Sequence, residues 1–170
     1  MKYMEKGGFQ NHPLMKLTIV LTVLFLVGFW ITNFLLYFSK MSLTPTSIQN
    51  YYLGFEADFI VPRTYQSMLE VTHMHLPMMA IVILVLTHLL IFAPFRNGSK
   101  LAFIFTTFFS ALLSEMSGWL VRFVHPEFAI VKIISFLTFQ GCLAFLLVSL
   151  LWFLAISPSR KTKPTQHPVL

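Results

Sequence analysis

Four long apolar runs divide the chain, and short polar segments separate them. The runs cover about residues 14–38, 65–95, 100–124 and 128–156. A transmembrane helix needs about 20 predominantly apolar residues, so we predict one membrane-spanning helix for each run. Residues 1–13 precede this membrane domain (14–156) as a polar arm, and residues 157–170 follow it as a basic tail.

The connection between the first and second runs contains the signals of a short helix. Thr44 followed by Pro45 fits an N-cap with proline at the first helical position, and Gly54 fits a C-terminal stop. Tyr51 and Tyr52 between them suit the headgroup region of a bilayer. We therefore expect an all-α, four-helix transmembrane bundle with a short interfacial helix between spans one and two.

Composition supports a membrane protein. Hydrophobic residues make up 56% of the chain and charged residues 11%, whereas soluble domains are about 25% charged. The remaining length leaves no room for a separate soluble domain. Cys142 is the only cysteine, which excludes an intrachain disulfide and the CxxCH motif of covalently attached haem.

The net charge of +6 is best explained by membrane orientation. Eight Lys and Arg residues fall on the side of the two termini and four on the other side. The positive-inside rule then predicts that both termini are cytoplasmic, and we expect a bacterial inner membrane. The basic tail has no interleaved aromatic residues, which argues against nucleic acid as a partner.

The second run carries four ionisable residues, and three of them share one side of the predicted helix. At 100° per residue, Glu70 and His88 fall on one line and His73 lies about 60° from both, while His75 points roughly the other way. Ionisable residues inside a span are costly and are read as functional. We expect this Glu70 stripe (Glu70, His73 and His88) to face protein or a cofactor.

The third run adds ionisable residues near its end. Antiparallel packing of spans two and three would bring these residues to the depth of Glu70 and His73. The predicted polar cluster therefore consists of Glu70, His73, Glu115, Arg122 and His125. His88 lies deeper, towards the cytoplasmic side.

His73 and His88 are fifteen residues apart, or about 22 Å along a helix. In this spacing the chain resembles membrane cytochrome b subunits, which are four-helix electron carriers. The resemblance implies b-type haem, with His73 or His75 and His125 as one ligand pair and His88 as a ligand of a second haem. Spans one and four contain no histidine, so only His12 in the arm is left to pair with His88.

Two metal sites are alternatives to haem. The run His73-Met74-His75, with Met78 and Met79, supplies imidazole and thioether ligands that suit copper. Glu70, His73 and His125 together would instead suit zinc or iron.

A quinone or proton site is a further alternative, because histidine, glutamate and arginine near one leaflet can bind a quinone ring and carry its protons. The same residues also admit a structural interpretation. Glu70 with Arg122, and Glu115 with Arg122 or His125, would then be buried pairs that set helix register.

Our leading hypothesis is a membrane subunit of an electron-transfer complex that passes electrons between quinol and a partner through haem b. The protein would be at most a redox subunit of a multi-subunit oxidoreductase. Its partners would be membrane lipid, other subunits and a periplasmic cytochrome. The alternative is a non-catalytic accessory or anchor subunit of a larger membrane complex.

Overall fold

A computed structural model describes residues 13–156, and all of its regular elements are helical. Four of the five α-helices are long and apolar enough to cross a membrane, which confirms the predicted fold class. The predicted arm and tail, apart from Pro13, lie outside the described residues, as does His12. The helices are α1 (Pro13–Phe38), α2 (Pro45–Leu53), α3 (Tyr65–Leu90), α4 (Asn97–Phe123) and α5 (Phe128–Ile156).

The short helix α2 forms where its local signals place it. Thr44 Oγ1 accepts a hydrogen bond from the backbone N–H of Ser47, and Pro45 occupies the first helical position. Gly54 ends the helix with φ of 87°, and a Cβ there would lie 2.7 Å from the carbonyl oxygen of Ile60. Only glycine adopts this conformation at that spacing without strain.

The predicted span 65–95 is wrong at its end, because α3 stops at Leu90. Pro94 has no N–H to continue the helix, and its ring disfavours a helical residue before it. The chain tightens instead, with the N–H of Ala93 bonded to the carbonyl of Leu90. Lys100 Nζ donates to the carbonyl of Ile91 at 2.7 Å, which satisfies one of the free acceptors after the helix.

Helix α5 lies at the centre of the bundle and packs against all four other helices. Its closest neighbour is α4, whose buried face is mostly small: Thr107, Ser110, Ala111, Ser114, Ser117 and Gly118. Small side chains let two helix backbones approach closely. The hydroxyls of Ser110 and Ser117 donate to carbonyls of α4 itself, so they do not need partners on α5.

Helices α1 and α3 both contact α5 but make few contacts with each other. Most large side chains of α1, such as Leu24 and Phe25, are exposed. The bundle therefore leaves a gap between α1 and α3, with α4 and α5 behind it and the α2 segment at one end.

Candidate functional site

The gap opens into a cavity of about 820 Å³, which we call the central cavity. All five helices contribute to its walls, through residues such as Phe29, Tyr52, His75, Glu115 and Lys132. Sites for small molecules and cofactors typically enclose about 300–1,000 Å³. The cavity is therefore large enough for the ring of a membrane-soluble ligand.

Glu115 of α4 is the centre of the polar end of this cavity. Thr72 Oγ1 donates to Glu115 Oε1 at 2.7 Å, and His75 Nδ1 lies 3.2 Å from Oε2. Trp119 Nε1, one turn further along α4, donates to Thr72 Oγ1 at 2.9 Å. The Glu115 side chain is 13% exposed and that of His75 is 49% exposed. The carboxylate is thus held by α3, while the imidazole stays accessible.

Lys132 of α5 supplies a positive charge to the same polar end. Its Nζ donates to the carbonyl of Ser114 at 2.6 Å, next to Glu115 in sequence, and it interacts electrostatically with the Glu115 carboxylate. Removing charged groups from water is costly unless they meet opposite charge and hydrogen-bond partners. The negative charge of Glu115 and the positive charge of Lys132 therefore compensate each other inside the bundle.

Two side chains of the cavity wall, Gln140 and Tyr52, have a polar atom without a hydrogen-bond partner among the described residues. Gln140 is 3% exposed, and its Oε1 is buried without a hydrogen-bond partner among residues 13–156. Its backbone carbonyl accepts from Trp30 Nε1 at 3.1 Å, which joins α5 to α1. Buried polar atoms are usually satisfied, so an open acceptor beside a cavity indicates a place where a ligand donor can bind.

Tyr52 brings α2 to the cavity. An added Cβ at Gly118 would lie 2.6 Å from Tyr52 Oη, so the absence of a side chain at Gly118 admits the phenol. Burial, helped by the nearby charge of Glu115, raises the pKa of the Tyr52 hydroxyl above its ordinary value of 10.0. The hydroxyl thus stays protonated, and it has no hydrogen-bond partner among the described side chains and backbone.

The rest of the cavity wall contains many apolar side chains, some small polar ones and two cations. Met68, Met74, Met78 and Met79 of α3 line it, and methionine adapts to irregular ligand shapes. Lys40 and Arg63, from the segments that flank α2, also contribute to the wall. Lys40 follows α1 and Arg63 precedes α3, so both cations lie at the end of the bundle where α2 lies.

The Glu70 stripe lies on the opposite side of α3. Glu70, His73 and His88 are all exposed in this chain, and none of them lines the cavity. Glu70 accepts a hydrogen bond from Gln66 Nε2 of the same helix at 3.1 Å. The stripe therefore does not face the other described helices, and its contact with another protein or a cofactor stays a prediction. The side of α3 that turns inward carries His75.

The predicted polar cluster does not form within the chain. Arg122 Nε donates to the carbonyl of Arg63 at 2.7 Å and so holds the segment between α2 and α3, not Glu70. His125 Nδ1 accepts from the backbone N–H of Glu127 at 3.3 Å, on an exposed turn. The predicted pairs of Glu70 with Arg122, and of Glu115 with Arg122 or His125, are wrong, since Glu115 bonds to His75.

The predicted metal ligands are likewise separated. His73 and His75 lie on different sides of α3, and the structure brings together no three His, Cys, Asp or Glu side chains within residues 13–156 that could hold a metal ion. Glu70, His73 and His125 do not meet. Of the four described histidines, three lie on α3 itself and His125 lies on the exposed turn after α4.

Sequence reasoning missed several residues of the cavity: Tyr52, Thr72, Trp119, Lys132 and Gln140. Two of them had a usable signal. A lysine four residues into an apolar span, and a glutamine near its middle, are as costly in lipid as a histidine and should have been weighed equally. Thr72 and Tyr52 had none, because threonine and tyrosine are common in membrane helices and at interfaces.

A family model described as a transmembrane helical domain, Aq_1264_TM, matches residues 42–162. The chain belongs to this family. With its four apolar helices, it is an integral membrane protein. No curated protein and no solved structure matches the chain. The Aq_1264_TM match begins after α1 and includes α2 to α5, so the His75–Glu115 pair and Lys132 all lie within the family domain.

Proposed function

We propose that the protein is a quinone-binding membrane subunit of an electron-transfer complex. The observation that carries this proposal is the central cavity, which joins a hydrogen-bonded His75–Glu115 pair to an apolar gap between two loosely packed spans. An isoprenoid quinone has the matching shape, with a polar ring and a long apolar tail. The ring would lie at the polar end, and the tail would pass between α1 and α3 into the bilayer.

The polar groups supply what a quinone ring needs. Its two oxygens can accept hydrogen bonds from the free hydroxyl of Tyr52 and from Nε2–H of His75 in its protonated, imidazolium form, while a quinol hydroxyl can donate to Gln140 Oε1. Counting from the ends of their helices, Glu115 lies about 12 Å, His75 about 15 Å and Gln140 about 18 Å into the bundle. The ring site is thus within the membrane and within reach of a diffusing quinol.

Quinol oxidation releases two protons and two electrons, and the His75–Glu115 pair suits the proton part. With Nδ1–H donated to the Glu115 carboxylate, Nε2 of His75 is a free acceptor for the first hydroxyl proton. It accepts the second after passing the first to water, since the His75 side chain is 49% exposed. The carboxylate then stabilises the resulting imidazolium, as in other carboxylate–histidine pairs. The electrons pass to a redox centre on a partner subunit or a periplasmic cytochrome.

In this proposal haem b is bound by the assembled complex, with ligands beyond the described residues of this chain. Three of the four described histidines lie on α3, so the proposal takes the second axial ligand for His73 or His88 from outside the described residues, either from this chain, such as His12, or from a partner subunit. We retain the bacterial inner membrane with cytoplasmic termini, which places the cavity towards the periplasmic side. That side is where a periplasmic cytochrome would accept electrons.

Quinone titration of the purified full chain in lipid nanodiscs tests this function. Trp119 lines the cavity, so a short-chain quinone that binds there should quench tryptophan fluorescence. We expect His75→Gln to weaken binding about tenfold, since one hydrogen bond to a charged or polarised group is worth about 1.5 kcal/mol. His73→Gln is the matched control and should bind like the parent. Equal binding by all three proteins would exclude the cavity as the site.

One observation favours the alternative of a non-catalytic accessory subunit. Lys40 and Arg63 both contribute to the cavity wall and could hold the phosphate of a phospholipid that fills the cavity permanently. Lipid extraction and mass analysis distinguishes the two functions. A tightly retained phospholipid that is lost in Lys40→Gln/Arg63→Gln, together with no quinone binding, would assign the cavity to a structural lipid.

A further inference from the structure

The outward face of α3 has a regular pattern that the central cavity does not use. Its positions are spaced by three and four residues, and all of them are exposed. This is the spacing along which two nearly parallel helices pack at a crossing angle of about 20°. We call the set the α3 seam: Glu70, His73, Pro77, Ala80, Leu84 and His88.

Charge distinguishes the α3 seam from the other lipid-facing surfaces. Glu70 is the only exposed acidic residue in the four spans as far as the structure describes them. Its carboxylate is bonded only to Gln66 of its own helix, and His73 has no hydrogen bond to a described residue. The exposed residues of α1, such as Leu24 and Phe25, suit lipid directly. Ionisable groups on a span instead turn to protein or water.

We propose that the α3 seam is the interface of a symmetric homodimer, in which Glu70 of each copy pairs with His73 of the other. Copies of a membrane protein insert in one orientation, so a two-fold axis along the membrane normal brings residues of equal depth together. Glu70 and His73 differ by about 4.5 Å in height, or less than one turn. Two acid–imidazole pairs therefore form across the axis.

The remaining seam residues fit the same contact. Pro77 and Ala80 are small, which allows the two helices to approach closely at mid-span. Leu84 follows one turn later and can interdigitate with its counterpart. The seam contains both an acid and a base that can pair with it, so two copies of the seam are complementary to each other. We therefore propose a second copy of the chain as the binding partner.

Cysteine cross-linking tests the dimer, because Cys142 is the only cysteine of the chain. In a Cys142→Ser background, the purified full chain with Ala80→Cys or Leu84→Cys is reconstituted in phosphatidylcholine vesicles and mildly oxidised. Phe105→Cys on α4 is the control, since Phe105 is 68% exposed and lies at a height comparable to Leu84.

We expect disulfide-linked dimers from at least one seam position in about fivefold excess over Phe105→Cys, because a disulfide needs Cα atoms within about 7 Å. Similar yields at seam and control positions would mean random collision and would overturn the proposal. So would the absence of dimers from both seam variants.

A charge exchange tests the pairing itself. Glu70→Lys should lower the dimer affinity about tenfold or more, because it removes the carboxylate that pairs with each imidazole and places two ammonium groups close to the two-fold axis. Glu70→His combined with His73→Glu should restore the dimer, since the exchanged pair forms equally well across a two-fold axis. Energy transfer between labelled copies, diluted with lipid, measures both. A Glu70→Lys protein that dimerises like the parent, or an exchanged variant that stays monomeric, would reject the pairing.

Discussion

His73 and His75 are two residues apart on α3, yet they lie in different surroundings. His75 faces the central cavity, where Glu115 accepts its hydrogen bond, and Thr72 one turn earlier bonds to the same carboxylate. His73 lies with Glu70 on the exposed face, which has no partner on another described helix. One span thus lines the central cavity with one side and presents an exposed face with ionisable residues on the other.

The largest difference that we expect between the two sides of α3 is in how much Glu115 and Glu70 contribute to the free energy of unfolding. Glu115→Leu should lower the free energy of unfolding in detergent by about 3 kcal/mol, because it leaves the half-buried Lys132 inside the bundle without its counter-charge. Glu70→Leu should change the stability of the monomer little. Thermal denaturation of both variants measures the contrast. In Glu115→Leu/Lys132→Met most of the loss should be recovered, and equal losses in the two single variants would contradict an inner and an outer face.

Two glycines test the wall of the cavity. Gly118→Ala should destabilise by about 2 kcal/mol, since the new Cβ would collide with Tyr52 and push α2 away. Gly141→Ala on α5 is the control, because a Cβ there meets nothing within 4 Å. That change should stabilise by up to about 1 kcal/mol through helix propensity. If both variants gained stability, Tyr52 would not be held against α4 as described.

Two adjacent residues of α3 provide a smaller test. Thr72→Val keeps the shape but removes the hydroxyl between Glu115 and Trp119, so it should cost about 1.5 kcal/mol. His73→Val should leave the stability of the monomer close to that of the parent. Detergent unfolding followed by tryptophan fluorescence measures both. A larger loss for His73→Val would mean that α3 is turned the other way.

The smallest effect, when measured over the first pH unit above 10, comes from the raised pKa of Tyr52. The folded chain holds the phenol proton more tightly than the unfolded chain, so this contribution is complete below the ordinary pKa of 10.0 and is lost as pH rises above it. Stability should therefore fall by up to about 1.4 kcal/mol per pH unit in that range. Tyr52→Phe should remove this part of the slope and Tyr51→Phe should not. Equal slopes in all three proteins would contradict the buried phenol.

Local rules were sufficient for much of the fold. Thr44, Pro45 and Gly54 bound α2 as predicted, because capping, a preset φ and a left-handed stop act over one turn of chain. Pro94 should also have ended the second span at Leu90, since its effect on the preceding turn is local too. That error came from following hydropathy through a residue that cannot continue a helix.

The candidate site could not be predicted in the same way, because α3 has two faces with the same spacing. Met68, Thr72, His75 and Met79 recur by three and four residues, and so do the residues of the α3 seam. A helical wheel gives the angle between His73 and His75 but not which of them turns inward. The Glu70 stripe was favoured as the functional side of α3 because it carries more ionisable residues than the other side. The number of ionisable residues was the wrong criterion for choosing the side that faces the other helices.

The sequence by itself determined four spans, the short helix between the first two and the set of ionisable residues within the membrane, because chain length in hydrocarbon and backbone hydrogen bonding are properties of each segment alone. Only the tertiary structure decided that His75 and not His73 meets Glu115, and that Lys132 and Tyr52 join them. The rotation of α3 is seen only in contacts between helices, such as the bonds of Thr72 and His75 to Glu115 of α4, and no single segment contains that information.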